Sequence, residues 1–452
     1  MKKFFNTVVV LIAFHSINIS SQDQVEEIIV TSAFIDTSEI NNPLYIIDGN
    51  DISDGATTSL GDAIDEYLGV SIADYGAAVG QPIIRGMSGP RVKILKNGVV
   101  NRDVSGLGVD HLNDVDLNDI SQIEIVKGPS SLLYANGTIG GIINVVDDLI
   151  SSKNFELPEV AVGYESQSVN DGNSEFVNLK GNVGGFNVNF GYKNTDFGNY
   201  DVPSGAVIHS EEEHHDEDEH DEEEEHEEHA PTVFMNEAVE YGATFDISND
   251  SSTQKVVVNF VDDDNSIVGE EAFMNPANSK EFTIGYYLSK ELGMFDFDFG
   301  FRLDQIERSG SVTEEEHGDH HDDDHGDDHG DEHGEVDYYN IDDSTNSFAV
   351  TLGRSLNDNL GVSLGYASVE RLPSSIELFM NGPHMATGRF EGGDPNLNSE
   401  TSNNFDITFN FDNGDFYAFA SFYITDVDLS LIHISEPTRP RLSSYAVFCL
   451  KK

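Results

Sequence analysis

Phe295–Phe301 reads FDFDFGF, with phenylalanine at 295, 297, 299 and 301 and Asp296, Asp298 and Gly300 between them. Side chains alternate between the two faces of an extended strand, so this stretch has one aromatic face and one wet face. Phe186, Val188, Phe190 and Tyr192 repeat the pattern around Asn187, Asn189 and Gly191. Phe405, Ile407, Phe409 and Phe411 do the same around Asp406, Thr408 and Asn410. Related segments begin near Val160, Phe176, Tyr241, Val256, Phe282, Phe348, Val362 and Phe416. Eleven strands of about ten residues therefore follow Glu156.

Two folds carry such alternation: a soluble sandwich, and a barrel whose apolar face meets lipid. The connections separate them. Short turns at Asn182–Gly185, Asn357–Asn359 and Asp412–Asp415 alternate with very long loops, the asymmetry of an outer-membrane barrel. In hydrocarbon only closure satisfies the backbone groups of every strand. The predicted fold class is a transmembrane antiparallel β-barrel filling residues 151–428, preceded by an α/β domain. The N-terminus agrees with export. Lys2 and Lys3 are followed by the short apolar core Phe4–Phe14 and by Ser16, Ser20 and Ser21. Residues 1–21 thus read as a signal peptide cleaved shortly before Gln22. A membrane-anchoring helix is the weaker reading, because this core is too short to span a bilayer and no later run is long enough.

Residues 41–150 read as a compact mixed domain. A helical pattern runs over Ser59–Leu68, with Leu60, Ala63, Ile64 and Leu68 on one face. Strands are predicted at Pro82–Gly86, Arg91–Asn97, Gln122–Lys127 and Gly141–Val146, separated by glycine turns.

Two tracts interrupt the barrel pattern, HSEEEHHDEDEHDEEEEHEEH from His209 to His229 and HGDHHDDDHGDDHGDEH from His317 to His333. They carry His209, His214, His215, His220, His226, His229, His317, His320, His321, His325, His329 and His333, twelve of the sixteen histidines. Segments this charged cannot bury apolar surface and are predicted to be solvated loops, 205–232 and 311–337. A plain acidic spacer is the bland alternative. Histidine at this density favours weak contact with divalent ions, Zn²⁺ ahead of Ni²⁺ and Cu²⁺.

The formal charge is −60, and removing the 26 acids of the two tract regions (14 from Glu211 to Glu228, 12 from Glu314 to Glu335) still leaves −34. Acidity is therefore global. It excludes nucleic acid as a partner and makes cations the natural ones. No nucleophile, base and orienter set is visible, and no phosphate-binding glycine loop, so an enzyme is not expected.

The last residues stand apart. Leu429–Arg439 (LSLIHISEPTR) and Ser444–Lys452 (SYAVFCLKK) resemble the two ends of a translated sequencing-library adapter, with Pro440–Leu442 at its variable index. Ser443 departs from the adapter by one residue. Residues 429–452 are thus predicted to be artefactual and the native chain to continue past Asp428. The single cysteine, Cys449, falls in this tail, so no disulfide argument applies. A divergent native tail is the alternative.

Several motifs resemble those of TonB-dependent outer-membrane receptors, in the right order over residues 25–428. Glu26–Ala33 (EEIIVTSA) resembles their energy-coupling box. Leu60–Val70 (LGDAIDEYLGV), Pro82–Gly86 (PIIRG) and above all Ile123–Val145 (IEIVKGPSSLLYANGTIGGIINV) resemble their plug domain. The resemblance implies a plug at 41–150 inside a barrel of about 22 strands, so that eleven strands would be about half. Such a fragment would leave open edges and should not fold or insert. It also implies a coupling box and linker at 22–40. There Glu26, Glu27, Ile28, Ile29, Val30 and Thr31 would be recruited by strand addition to a TonB-type inner-membrane protein. The alternative is that EEIIVTSA is only the plug's first strand.

Within that family the zinc and heme-type branch looks closest. Arg371–Glu391 (RLPSSIELFMNGPHMATGRFE), Gly393–Pro395 and Glu400–Asn404 resemble a segment of the zinc-uptake receptors. The resemblance assigns a tight metal site to Asp110 and His111 on the plug, His384 on the barrel, and Glu271, or Glu270 by a one-residue slip. Two histidines and two carboxylates suit four-coordinate zinc. The expected protein is an outer-membrane importer of zinc or another divalent metal, with the coupling box in the periplasm, the tracts outside, and no organic cofactor. Within the same fold, heme, a siderophore or another chelate is the alternative cargo, and His384 could be a heme ligand. A surface metal-binding protein without transport is the alternative of another class.

Overall fold

The computed structural model describes residues 45–451 except 55–58, 68, 75–78, 107, 109–110, 112, 114, 116, 118–119, 148–154, 156, 169–170, 197, 199–231, 248, 250, 270–271, 314–334, 385–388, 415 and 429–442. Strand β1 (Tyr45–Asp48) leads into helix α1 (Gly49–Asp54), followed by β2 (Val70–Asp74), β3 (Gly80–Ile84), β4 (Val92–Lys96), β5 (Val99–Val100), β6 (Ile120–Val126) and β7 (Gly141–Asp147). Five of these strands form a sheet in the order β1-β6-β7-β4-β5, with β4 and β7 parallel and the other pairs antiparallel, while β2 and β3 make a separate hairpin.

Both faces of this sheet are covered, and the polar groups this buries on β6 and β7 satisfy one another: Gln122 Nε2 donates to Glu124 at 2.6 Å and Asn144 Nδ2 donates to Glu124 at 2.8 Å. One face packs Ile123, Ile125 and Ile143 on Ile47, Ile52, Leu60, Ile64 and Ile84. The other packs Leu95, Val126 and Ile142 against Val257 and Tyr287 of the next domain. Over Ser59–Tyr67 the helix expected for Ser59–Leu68 is instead a run of turns, and Leu68 lies outside the described residues. Ala63 N–H reaches Ser59 O at 3.2 Å, but Ile64 and Tyr67 bond three residues back, to Gly61 and Ile64. Gly61 is a poor helix former, and it is pressed against the hairpin so closely that a Cβ there would lie 2.8 Å from Gly80 O. Leu60 and Ile64 are buried all the same. Helix α1 lies where no helix was expected.

The second domain supplies all eleven predicted strands: β8 (Glu159–Gln167), β9 (Gly172–Val183), β10 (Phe186–Asp196), β11 (Val233–Asp246), β12 (Ser252–Val268), β13 (Ala277–Leu292), β14 (Phe295–Thr313), β15 (Val336–Asn357), β16 (Leu360–Arg371), β19 (Glu400–Asp412) and β20 (Tyr417–Asp428). Between β16 and β19 lie helix α2 (Ser375–Phe379) and a hairpin of β17 (Asn381–His384) and β18 (Arg389–Gly392). Sequential neighbours pair antiparallel, in one sheet of β8 to β10 and a second running from β11 through β16, β19 and β20. Among the described residues the two sheets are not joined, and the wall is not closed.

The alternation sorts as a barrel requires. Phe282 is 46% exposed while its neighbour Thr283 is 2% exposed. Phe301 and Leu303 point outward, whereas Arg302 and Asp304, which alternate with them, are buried on the inside. A sandwich would bury the aromatic face; here the polar face is covered, by the N-terminal domain, and the aromatic face is left for lipid. The β9–β10 turn is Gly184–Gly185 with φ of 63° and 90°, the two positive values a two-residue hairpin loop demands.

The expected strand lengths and loop bounds need correction. Strands of about ten residues are enough to span a bilayer, yet β14 has 19 and β15 has 22. Their ladder continues to the pair Thr313–Val336, so residues 311–313 and 336–337 are strand rather than loop. Residues Ser443–Lys451, read from sequence as foreign, form a strand β21 on the free edge of β20. An open edge pairs with any alternating segment within reach, because its backbone groups select no sequence.

Candidate functional site

Asp110, Glu270 and Glu271 lie outside the described residues, as do the coupling-box residues Glu26–Thr31 and all twelve tract histidines. The backbone of His384 ends β17 opposite Arg389. His111 is described in full. Among the described residues, no group of three or more His, Cys, Asp or Glu side chains gathers as a metal site.

His111 sits on the loop between β5 and β6, its N–H 3.3 Å from Gly108 O. Its ring meets Phe234 of β11 edge to face, with centroids 5.3 Å apart and planes at 74°. Phe234 in turn lies 6.0 Å from Phe273. From there an apolar cap spreads through Met274, Ala277, Leu378, Phe379 and Met380, with Val312, Tyr339 and Ile341 against it. Polar bonds tie its loops together. Met274 and Met380 form an isolated antiparallel bridge. Asn381 N–H donates to Phe273 O at 2.7 Å, and Asn381 Nδ2 to Thr313 O at 2.7 Å. Asn275 Nδ2 donates to Thr313 Oγ1 at 3.0 Å. The cap thus gathers His111 itself, the segment that follows Glu271, and the segment that precedes His384.

Besides the apolar packing of the plug on Val257, Tyr287, Ala349 and Val369, the domains meet through ionic contacts. Glu400, at the start of β19, is fully buried and faces two arginines: Arg91 Nε of the N-terminal domain at 2.7 Å and Arg371 Nη2 at 2.7 Å. Arg371 also spans Glu377 with bonds of 2.7 and 2.9 Å, completing a set of two cations and two anions in which Arg371 and Glu400 are buried and Arg91 and Glu377 half-buried. Glu377 is held by the capping box of α2, where Ser374 N–H donates to it at 2.6 Å. Burial pushes the Glu377 carboxyl up, but Arg371 overrides it and keeps the group below the ordinary range. Gly137, with φ of 61°, lets the N-terminal domain close onto this set, since a Cβ there would lie 2.6 Å from Arg371 Cγ.

Further links are spread over the wall. Arg85 pairs with Asp406 at 2.6 Å and lies 4.2 Å over the ring of Tyr423. Lys127 lines the same small cavity, and burial, reinforced by Arg85, holds its amine well below the usual value. Arg102 reaches Glu240 at 3.3 Å, Asn136 reaches Glu281 at 2.9 Å, and Arg302 Nη1 donates to Leu132 O at 3.1 Å. Lys93 of β4 lies in this field. Burial pushes its amine down to about 8, partly offset by Glu281. Sequence reading did not single out Arg91, Arg371, Glu377 or Glu400. One signal was present: Ser374–Glu377 reads SSIE, the spacing of a capping box, which fixes a carboxylate at a helix start.

Residues 36–142 match the TonB-dependent Receptor Plug Domain, and residues 130–431 match the TonB dependent receptor-like β-barrel. A hemin receptor of Yersinia pestis is 29% identical over 129 residues, 27% of this chain and 18% of the relative. The vitamin B12 transporter BtuB of Vibrio vulnificus is 25% identical over 162 residues, 35% of this chain and 26% of the relative. Each match therefore spans well under two thirds of the relative's own length. The hemophore receptor HasR of Serratia marcescens, solved with its hemophore HasA and heme, superposes with a TM-score of 0.57 at 12% identity over 85% of this chain and 73% of that one. The barrel match alone covers more than half of the chain, and the sheet it covers presents aromatic side chains outward around a docked plug. The chain belongs to the TonB-dependent receptors, a family of outer-membrane β-barrel proteins that are not enzymes.

Proposed function

We propose that this receptor imports a divalent metal ion, zinc first, driven by a TonB-type protein of the inner membrane. The carrying observation is the cap: His111 of the plug meets, through Phe234 and Phe273, the two barrel loops on which Glu271 and His384 lie. Asp110, His111, Glu271 and His384 would hold the ion between plug and barrel as an N₂O₂ shell. The His/acid tracts would concentrate it outside through many weak, fast sites. Pulling on Glu26–Thr31 would draw the plug away, separate His111 from the barrel ligands, and release the ion toward the periplasm.

A heme or chelate cargo is the second reading, favoured by the likeness to a hemin receptor. We also propose that residues 429–452 are not native, so the receptor to test is the one its genomic DNA encodes. Deleting residues 26–33 is expected to abolish zinc uptake while leaving zinc binding intact; unchanged uptake would remove the transport reading. The Asp110→Ala/His111→Ala variant is expected to lose tight Zn²⁺ binding and keep weak tract binding. Persistence of the tight phase, or tight heme binding in its place, would overturn the zinc assignment.

A further inference from the structure

A metal ligand works best when its ring is oriented before the ion arrives, because the ordering entropy is then already spent. His111 has an orienting neighbour that no family motif picked out. Phe234 presents its ring to the imidazole at 5.3 Å and 74°, the T-shaped arrangement in which the edge of one ring meets the face of the other. Phe234 is itself fixed. It leans on Phe273, which is 1% exposed and whose carbonyl accepts the Asn381 N–H at 2.7 Å. It is also the second residue of a 14-residue strand, paired to Ile267 of β12. The imidazole is thus set against a firmly held part of the barrel wall.

We infer that Phe234 is a positioning residue for His111, a role that rests on the reading of His111 as a ligand. It sets the ring plane while the plug is seated, and it loses its hold when the plug moves, so ligand geometry follows plug position through this aromatic contact. Phe234 also lies five residues after His229, the last histidine of the first tract. The collecting segment and the ligand's orienting residue therefore share one strand end.

The test is a double-mutant cycle on the complete receptor in outer-membrane vesicles, with Zn²⁺ affinity read by competition with a chromogenic chelator. Phe234→Leu keeps an apolar side chain and is expected to weaken the tight site about tenfold. Phe234→Tyr, which keeps the ring, is expected to restore it. In a His111→Ala background, Phe234→Leu should change nothing further, because the interaction it served is already gone. An equal loss in both backgrounds, or no loss in either, would overturn the positioning role alone. If His111→Ala leaves tight binding intact, the ligand reading falls and the inference falls with it.

Discussion

The plug touches its wall in two chemically opposite ways, and one short helix serves both. Glu377 of α2 joins the ionic set Arg91–Glu400–Arg371, while Leu378 and Phe379, the next two residues, enter the apolar cap around Phe273. Ionic contacts out of water are all-or-none: each charge is tolerable only while its partners are there. Apolar contacts degrade gradually, since they are nearly non-directional. A plug that must stay seated yet be removable gains from both. The ionic set fixes where it sits, and the cap, built from barrel residues, meets the plug at the His111–Phe234 ring contact, which a small shift loosens by degrees.

The contrast predicts its own largest breakage. Glu400→Ala would leave the buried Arg371 and the half-buried Arg91 with one carboxylate between them. It is expected to destabilise the seated plug by about 3–5 kcal/mol, read as protease sensitivity of residues 45–147 and as a lower unfolding midpoint. Replacing Arg91 and Glu400 together by uncharged residues should cost less than Glu400→Ala alone. If the single substitution costs under about 1 kcal/mol, the pair is effectively solvated, and the contrast between the two contacts is wrong.

The cap should respond more mildly. Phe379 is fully buried, stacks on Tyr339 with centroids 6.3 Å apart, and lies against Gly310, where a Cβ would collide with its ring. Phe379→Leu is expected to cost about 1–2 kcal/mol, unchanged by added salt, and to weaken Zn²⁺ affinity less than Phe234→Leu. A salt-dependent loss would mean that the ionic set, reached through Glu377, had been disturbed instead.

How much was legible in the sequence depends on how local the physics is. The alternation at Phe295–Phe301 is written residue by residue, so every strand of the wall could be read, and Gly184–Gly185 marks its turn in two letters. The plug core was legible for the same reason, as Ile123 and Ile125 alternate with Gln122 and Glu124. The seating was not. Arg91 and Glu400 are 309 residues apart, and nothing local to either announces the other. The length of β15 was hidden because its N-terminal half is built from Asp342, Asp343, Ser344 and Asn346, polar residues without the apolar alternation that marks a strand, yet they pair with β14. The turns at Ser59–Tyr67 were misread because the pattern records which residues are buried, not whether Gly61 lets the helix close.

Lys93 refines the ionic side, and its effect should be the smallest. Arginine cannot shed its proton, but a buried lysine can. Burial holds Lys93 at about 8 against an ordinary 10.5, with Glu281 pulling back only in part. Below pH 8 the amine is charged in both the seated and the unfolded chain, and the penalty for burying it is constant. Between about 8 and 10.5 the unfolded chain still binds the proton while the folded one does not, so this group adds stability as pH rises through that window. Lys93→Met keeps the aliphatic stem and removes the charge. It should therefore raise the unfolding midpoint at pH 7 by a few degrees at most, the gain being trimmed because Glu281 loses a neighbour, and parent and variant should converge toward pH 10.5. Convergence in the opposite direction, with the variant the less stable at pH 7, would mean that Lys93 holds Glu281 as Arg91 holds Glu400. Lys93 would then be a full member of the ionic set rather than a strained one.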